Sequence, residues 1–189
     1  MRRAIWVICA VVLIWLMGAS PVWAFIQDDV DLLIDTKSCP VCILNEADLS
    51  GLNLQKANLK VAVLANSNLQ GTDLSKANLV LTDFTNADLS GAILTSAQMN
   101  GANLNNAKLA NADLRQAEMT QANLGNADLR NADLREAIML SVTLGTADLT
   151  GANLENANLR GVNRSMARFC NTIMPDGEIE NRSCPEQGR

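Results

Sequence analysis

Apolar side chains follow a period of five from Leu44 to Leu159, and that period predicts a coil, neither a helix nor a flat sheet. Leu44, Leu49, Leu54, Leu59, Leu64, Leu69, Leu74 and Leu79 open the series. Phe84, Leu89, Leu94, Met99, Leu104, Leu109, Leu114 and Met119 carry it on. Leu124, Leu129, Leu134, Met139, Leu144, Leu149, Leu154 and Leu159 close it, making 24 consecutive units without a slip. Two residues before each stands a small residue, usually Ala, as at Ala47, Ala57, Ala87, Ala107, Ala127 and Ala157. On an α-helix a step of five rotates about 140°, which would scatter the Leu residues around the axis. On a flat strand an odd step would send successive Leu to opposite faces. The Ala-x-Leu pair itself has strand spacing, so both side chains of a unit point the same way. The next inward residue comes three later, so the chain must turn a corner in the two residues after each Leu. Those positions carry Ser-Gly, Gln-Gly, Thr-Gly, Asn-Asn or Arg-Gln, which is turn-tolerant polar chemistry. Repeated corners with every Ala and Leu inside close the chain into a coil.

The runs ADLSGLNLQKANL (47–59) and ADLTGANLENANL (147–159) resemble the pentapeptide-repeat family, and the match extends over about residues 42–174. The resemblance implies an all-β fold, a right-handed quadrilateral parallel β-helix with four units to each square turn. Residues 20 apart would then stack, and 24 units would give six turns, a rod about 30 Å long at the ordinary strand spacing. Met99, Met119 and Met139 fall in one column between Leu79 and Leu159, where Met serves as flexible apolar filler. Phe84 falls between Leu64 and Leu104. Larger residues replace Ala near the ends, at Leu52, Val142 and Val162.

An open coil exposes a Leu core and unpaired strand edges, so both ends need caps. Val30, Leu33 and Ile34 have helical spacing and predict a short capping helix over residues 28–35. At the other end Arg164 occupies an inward Leu position and must tip outwards or belong to a bulge. The pattern resumes at Ala167/Phe169 and Thr172/Met174, and Pro175, Asp176 and Gly177 signal a turn closing a hairpin between residues 172–174 and 178–180. The stretch FCNTIMPDG (169–177) also resembles the tail of exported cyanobacterial members of the family.

Residues 1–24 read as a signal peptide. Arg2 and Arg3 form a basic start, residues 4–17 are apolar but too few to prefer spanning a bilayer, and Val22, Trp23 and Ala24 place cleavage after Ala24. An uncleaved anchor is the alternative. The chain then divides into the signal peptide (1–24), an N-terminal cap (25–41), the repeat coil (42–174) and a C-terminal cap and tail (175–189).

Composition narrows the chemistry. Aromatic residues are 3 % of the chain against 48 % apolar, which fits a regular Leu and Ala interior. Losing residues 1–24 leaves 13 basic against 20 acidic residues, a net charge of −7, which argues against nucleic acid as a ligand. There is no His, so the usual Ser-His and Cys-His nucleophile systems are absent. No Gly-rich phosphate loop appears. Asp113 would stack on Asp133 and Asp128 on Asp148, but on a convex rod without a cleft these read as a polar ladder, not a hydrolytic carboxylate pair. Lys108 falls between Asp88 and Asp128, and Arg135 near Glu155, as exposed pairs of little energetic weight. No catalytic, cofactor or metal-ligating set is read from the sequence.

Outside the expected signal peptide the Cys residues are Cys39, Cys42, Cys170 and Cys184. The two pairs would lie at opposite ends of the rod, whereas a disulfide needs Cα atoms about 4.4–6.8 Å apart. Only Cys39–Cys42 and Cys170–Cys184 remain as bonds, and a four-Cys zinc site is excluded by the same separation. Cys39 and Cys42 form a CxxC, read as a structural closure or as a redox pair. On the surface, Val61, Val63, Val80 and Leu81 break the polar rule and cluster at one corner of the first coils. They form a candidate interaction patch, while Ile93, Ile138 and Leu140 are scattered.

These readings converge on a non-catalytic structural or protein-interaction module. By the resemblance it resides in the periplasm or thylakoid lumen of a cyanobacterium or a related organelle. It is expected to meet an unnamed protein partner as a monomer or homodimer, with no nucleic acid and, after cleavage, no membrane contact. Two alternatives are a DNA-mimicking inhibitor of gyrase, as some members of the family are, and a lumenal redox protein using Cys39 and Cys42.

Overall fold

A computed structural model describes residues 21–184. Parallel bridges join residues 20 apart, from Ser38 with Asn58 to Asn153 with Ile173. Each turn of the coil therefore holds four five-residue units. The Leu series and the small residues two before it form one continuous buried core, with Leu64, Leu89, Leu114 and Leu134 fully buried. Phe84 and the column Met99, Met119 and Met139 lie fully inside as well.

The five backbone N–H groups of a unit explain its sequence. In the unit ending at Gly71, Ser67 donates back across the preceding corner to the Leu64 carbonyl. Asn68 donates to Ala47 one coil before, and Leu69 and Gly71 donate to Asp88 and Ser90 one coil after. Gln70 has no ladder partner and donates to the side-chain Oδ1 of Asn68 at 3.2 Å. The same bond recurs from Ser75 to Asp73, Thr85 to Asp83 and Thr150 to Asp148. The Asp or Asn before each Leu thus satisfies an N–H that the ladder leaves over. Where Thr replaces the inward Ala, its buried hydroxyl donates to a Leu carbonyl, Thr72 to Leu49 and Thr82 to Leu59.

The last residue of nearly every unit turns the corner in the left-handed region, as at Asn86 (φ 59°) and Asn106 (φ 58°). Asn and Gly tolerate that conformation best. Along one edge the Asn corners also bond one another, Asn86 to Asn66, Asn106 to Asn86 and Asn126 to Asn106, each at 3.1 Å.

Helix α1, Pro21–Thr36, covers the N-terminal opening and is longer than the expected residues 28–35. Leu33 is fully buried against the first coil and Val30 half-buried, but Ile34 points to solvent. The helix ends where Lys37 takes φ 54° and donates to Leu33. The ladder then starts at Ser38, four residues before the expected boundary at 42, because Cys39 already occupies an inward Leu position, with its N–H on Asn58. The first twenty residues of the expected signal peptide lie outside the described residues, and the expected cleavage point after Ala24 falls in the first turn of α1. Among the described residues no helix is long and apolar enough to cross a membrane.

At the other end, strands β1 (Thr172–Ile173) and β2 (Ile179–Glu180) pair antiparallel. Arg164 is exposed, so its side chain leaves the core, and its carbonyl accepts from the Arg182 guanidinium. Arg182 also lies 4.5 Å over the Phe169 ring. Residues 185–189 of the expected tail lie outside the described residues.

Candidate interaction surface

One column of corner positions departs from the rest. Val41, Val61 and Leu81 stand one coil apart, with φ of 65°, 62° and 58°. Val41 is 69 % exposed, Val61 40 % and Leu81 57 %. A β-branched side chain in the left-handed region crowds its own backbone at a cost of roughly 1–2 kcal/mol, and Val41, the more exposed of the two Val, gains little burial in return. Gly101 ends the stripe: a Cβ there would lie 2.7 Å from Leu81 Cδ2, so Leu81 leans along the column over the next coil. Ile43, 57 % exposed, is bridged to Val63 on the adjoining face and widens the patch. Lys60 next to Val61, and Lys56 and Lys76 at the preceding corner, are exposed and rim it with positive charge.

Of the four residues read from the sequence, Val61 and Leu81 share the corner. Val80 precedes it and Val63 follows it, both half-buried. Val41 lies in the segment expected to be cap, and Ile43 in the first unit of the expected coil. Counting back by 20 from Val61 and Val63 would have found both.

Both Cys pairs are bonded. Cys39–Cys42 has a Cα separation of 5.5 Å and Cys170–Cys184 one of 4.7 Å. The Asp29 carboxylate lies within 4.8 Å of the Cys39 and Cys42 sulfurs. With those sulfurs bonded to each other the trio offers no thiolate to a metal, and Asp29 Oδ2 instead accepts the Ile43 N–H at 2.9 Å. This bond ties α1 to the coil beside the apolar stripe.

Asp113 pairs with Asp133 and Asp128 with Asp148 as ladder neighbours. Each ADLR unit closes on itself: Arg115, Arg130 and Arg135 donate to Asp113, Asp128 and Asp133 at 2.6, 2.7 and 2.6 Å. The Arg hydrogen bonds hold these three carboxyls below the usual range against an opposing effect of burial. Arg135 therefore takes Asp133, two residues away, as its partner, and not Glu155 as the column order suggested.

The twenty-residue turn and the Asp/Asn-Leu grammar define a repeat protein whose surface is an array of ladders. The chain belongs to the pentapeptide-repeat family. Models of pentapeptide repeats match residues 97–135, 112–151 and 137–174, and a model of the pentapeptide repeat region matches residues 39–114. Members fold as a β-helix and are generally non-catalytic structural or interaction proteins. No curated protein matches the chain. Among solved structures, the chain is similar to HetL, a pentapeptide repeat protein involved in heterocyst differentiation regulation in the cyanobacterium Nostoc, at 26 % identity over 75 % of this chain and 92 % of that one, TM-score 0.30. A pentapeptide repeat protein of the Arabidopsis thaliana thylakoid lumen is 34 % identical over 59 % of this chain and 71 % of its own, TM-score 0.36. QnrB1, a plasmid-mediated fluoroquinolone resistance protein, is 19 % identical over 77 % and 79 %, TM-score 0.38.

Proposed function

We propose that the protein is a non-catalytic interaction module of an extracytoplasmic compartment, a right-handed quadrilateral β-helix that presents a fixed apolar stripe to a protein partner. The observation that carries this reading is the stripe itself. Val41 and Val61 are strained as well as exposed, and strain of this kind concentrates where a surface is used. A ladder that bonds successive coils at regular intervals is a rigid support for it. Two disulfides in a chain of this size fit an oxidising space, as does the basic and then apolar start of the sequence. DNA mimicry fits less well. A phosphate-like array needs unneutralised acids, whereas Asp113, Asp128 and Asp133 are each paired with an Arg of their own unit.

The test is a photo-crosslinking residue placed at position 61 and, as a control in another column, at position 106. A defined crosslinked protein from 61 and none from 106, in the native compartment, is the expected result. Equal yields from both positions, or none from either, would sink the reading.

A further inference from the structure

We infer that the partner meets the stripe with an amphipathic α-helix that carries acids along one flank and lies along the axis of the coil. This deepens the reading above and rests on it. Two stacked rungs form the face beside the stripe, KANLKV (56–61) and KANLVL (76–81), bridged at Asn58 and Asn78. Lys56 and Lys76 turn the corner at one edge of this face (φ 62° and 59°), and Val61 and Leu81 turn it at the other. Lys60 stands beside Val61, and half-buried Val80 beside Leu81. The face therefore runs from lysine at one edge to apolar side chains at the other.

The lysines call for acid from outside. Arg115, Arg130 and Arg135 each hold an Asp of their own unit. Among the described residues, Lys56, Lys60 and Lys76 are in no ion pair. Lys56 and Lys76 also follow each other in one column, where their like charges repel. Four of the five Lys of the chain fall within residues 37–76, in a sequence of net charge −5. On the other side of the stripe Val63 is bridged to Asp83. The partner's acids therefore belong on one flank only, and an anionic bilayer pressed onto this corner would meet Asp83 as well as the lysines. The rungs also select a helix over a strand. Val41, Val61 and Leu81 rise by about 4.8 Å per coil. A helix returns a side chain to one face every three or four residues, a rise of about 4.5–6 Å. An extended strand does so only every ~6.8 Å and falls out of step within three rungs.

A designed helical peptide with a Leu stripe and Glu along one flank tests this, with a twin that carries Lys in place of each Glu. Each is labelled for fluorescence anisotropy and titrated with the purified full chain, its disulfides oxidised. The Glu peptide should bind at least about tenfold more tightly than its twin, by a margin that shrinks with added salt. Leu81→Asp, and separately Val61→Asn, should each weaken the Glu peptide by about tenfold, the loss of one central contact. Asn suits the left-handed corner, so Val61→Asn should leave circular dichroism unchanged, separating lost contact from lost fold. The triple change Lys56→Glu, Lys60→Glu, Lys76→Glu should reverse the preference and select the Lys twin. Equal binding of both peptides, binding of neither, or a preference that the triple change leaves as it was overturns the inference. So does binding to phosphatidylglycerol vesicles, lost in the triple variant, by a chain that takes up neither peptide. A defined protein crosslinked through position 61 when the Glu peptide fails overturns the acidic helix alone and leaves the proposed function standing.

Discussion

Cys39 and Cys42 occupy the two inward positions on either side of one corner, so their disulfide joins side chains that the repeat brings together in any case. In the regular coil the inward Leu of one unit and the inward Ala of the next are three residues apart, as Leu59 and Ala62 are, and both are fully buried. The CxxC has this same spacing, with Cys39 fully buried and Cys42 nearly so. The corner explains the motif without redox chemistry. Cys39→Leu with Cys42→Ala restores the repeat grammar and should keep the fold, with a thermal midpoint within a few degrees of the parent. Cys39→Ser with Cys42→Ser puts two hydroxyls into the same space and should cost roughly 1–3 kcal/mol more. Thermal unfolding followed by circular dichroism measures both. A restored-grammar variant that folds normally but loses a redox-dependent property of the protein would instead assign Cys39 and Cys42 a redox role.

Much of this architecture was legible because the repeat states its rule 24 times. The inward columns, the Met column and the departure at Arg164 follow from counting by five and by 20, and the C-terminal hairpin from the turn signal at Pro175, Asp176 and Gly177. The ends were less legible. Cys39 occupies a Leu position without being Leu, which hid the first unit and with it Val41. Ile34 has helical spacing with Val30 but stands a 100° step around the helix from buried Leu33, and it remains exposed. In ADLR the Arg stands two residues after the Asp and closes on it, as Arg115 does on Asp113, in preference to a neighbour 20 residues away. Strain at Val41 and Val61 had no sequence signal beyond Val standing where Asn or Gly is usual.

Acid should weaken the coil through Asp88. Burial, the largest single influence, pushes its carboxyl up, but hydrogen bonds from Ser90, Gln70 and Lys108 outweigh it and bring the pKa from 3.8 down to about 2. Folding therefore favours the ionised form. This contribution is complete above about pH 4 and is lost as the pH falls towards 2. It amounts to at most about 2 kcal/mol before solvent screening. Asp88→Asn keeps an Oδ1 for the Ser90 N–H and removes the titration, together with the bonds that Gln70 and Lys108 donate to Oδ2. Chemical denaturation at pH 4 and pH 2 should show a smaller acid loss in this variant than in the parent.

The C-terminal disulfide should act locally. Cys170–Cys184 spans 14 residues of sequence around the β1–β2 hairpin. Closing such a loop contributes about 3 kcal/mol in the chain-entropy model. Cys170→Ala with Cys184→Ala should therefore speed hydrogen exchange at the Met174 N–H, which donates to Glu178 at 2.8 Å. Exchange at Leu109 and Leu114, in the middle of the coil, should not change. Equal acceleration at both places would mean that the cap and the coil unfold as one unit.

Thr146 is where the regular ladder gives way. Its column carries Asn66, Asn86, Asn106 and Asn126 in the left-handed region, but Thr is β-branched, and Gly145 takes the positive φ (49°) one residue early. Among the described residues, the rung equivalent to Asn106 N–H on Gly125 then fails between Asn126 and Gly145. The Thr146 hydroxyl donates to Asn126 in place of an Asn amide. A shallow groove of about 270 Å³ opens beside it, lined by Ser141, Thr143, Gly145, Asn163 and Met166. Thr146→Asn should move the left-handed residue back to 146, extend the Asn ladder by one and return the Asn126 N–H to Gly145. The gain should be about 0.5–1 kcal/mol, as for other changes that match a residue to its backbone. Slower hydrogen exchange at Asn126 and a raised thermal midpoint are the expected outcomes. Unchanged exchange at Asn126 would show that Thr146 does not set this corner.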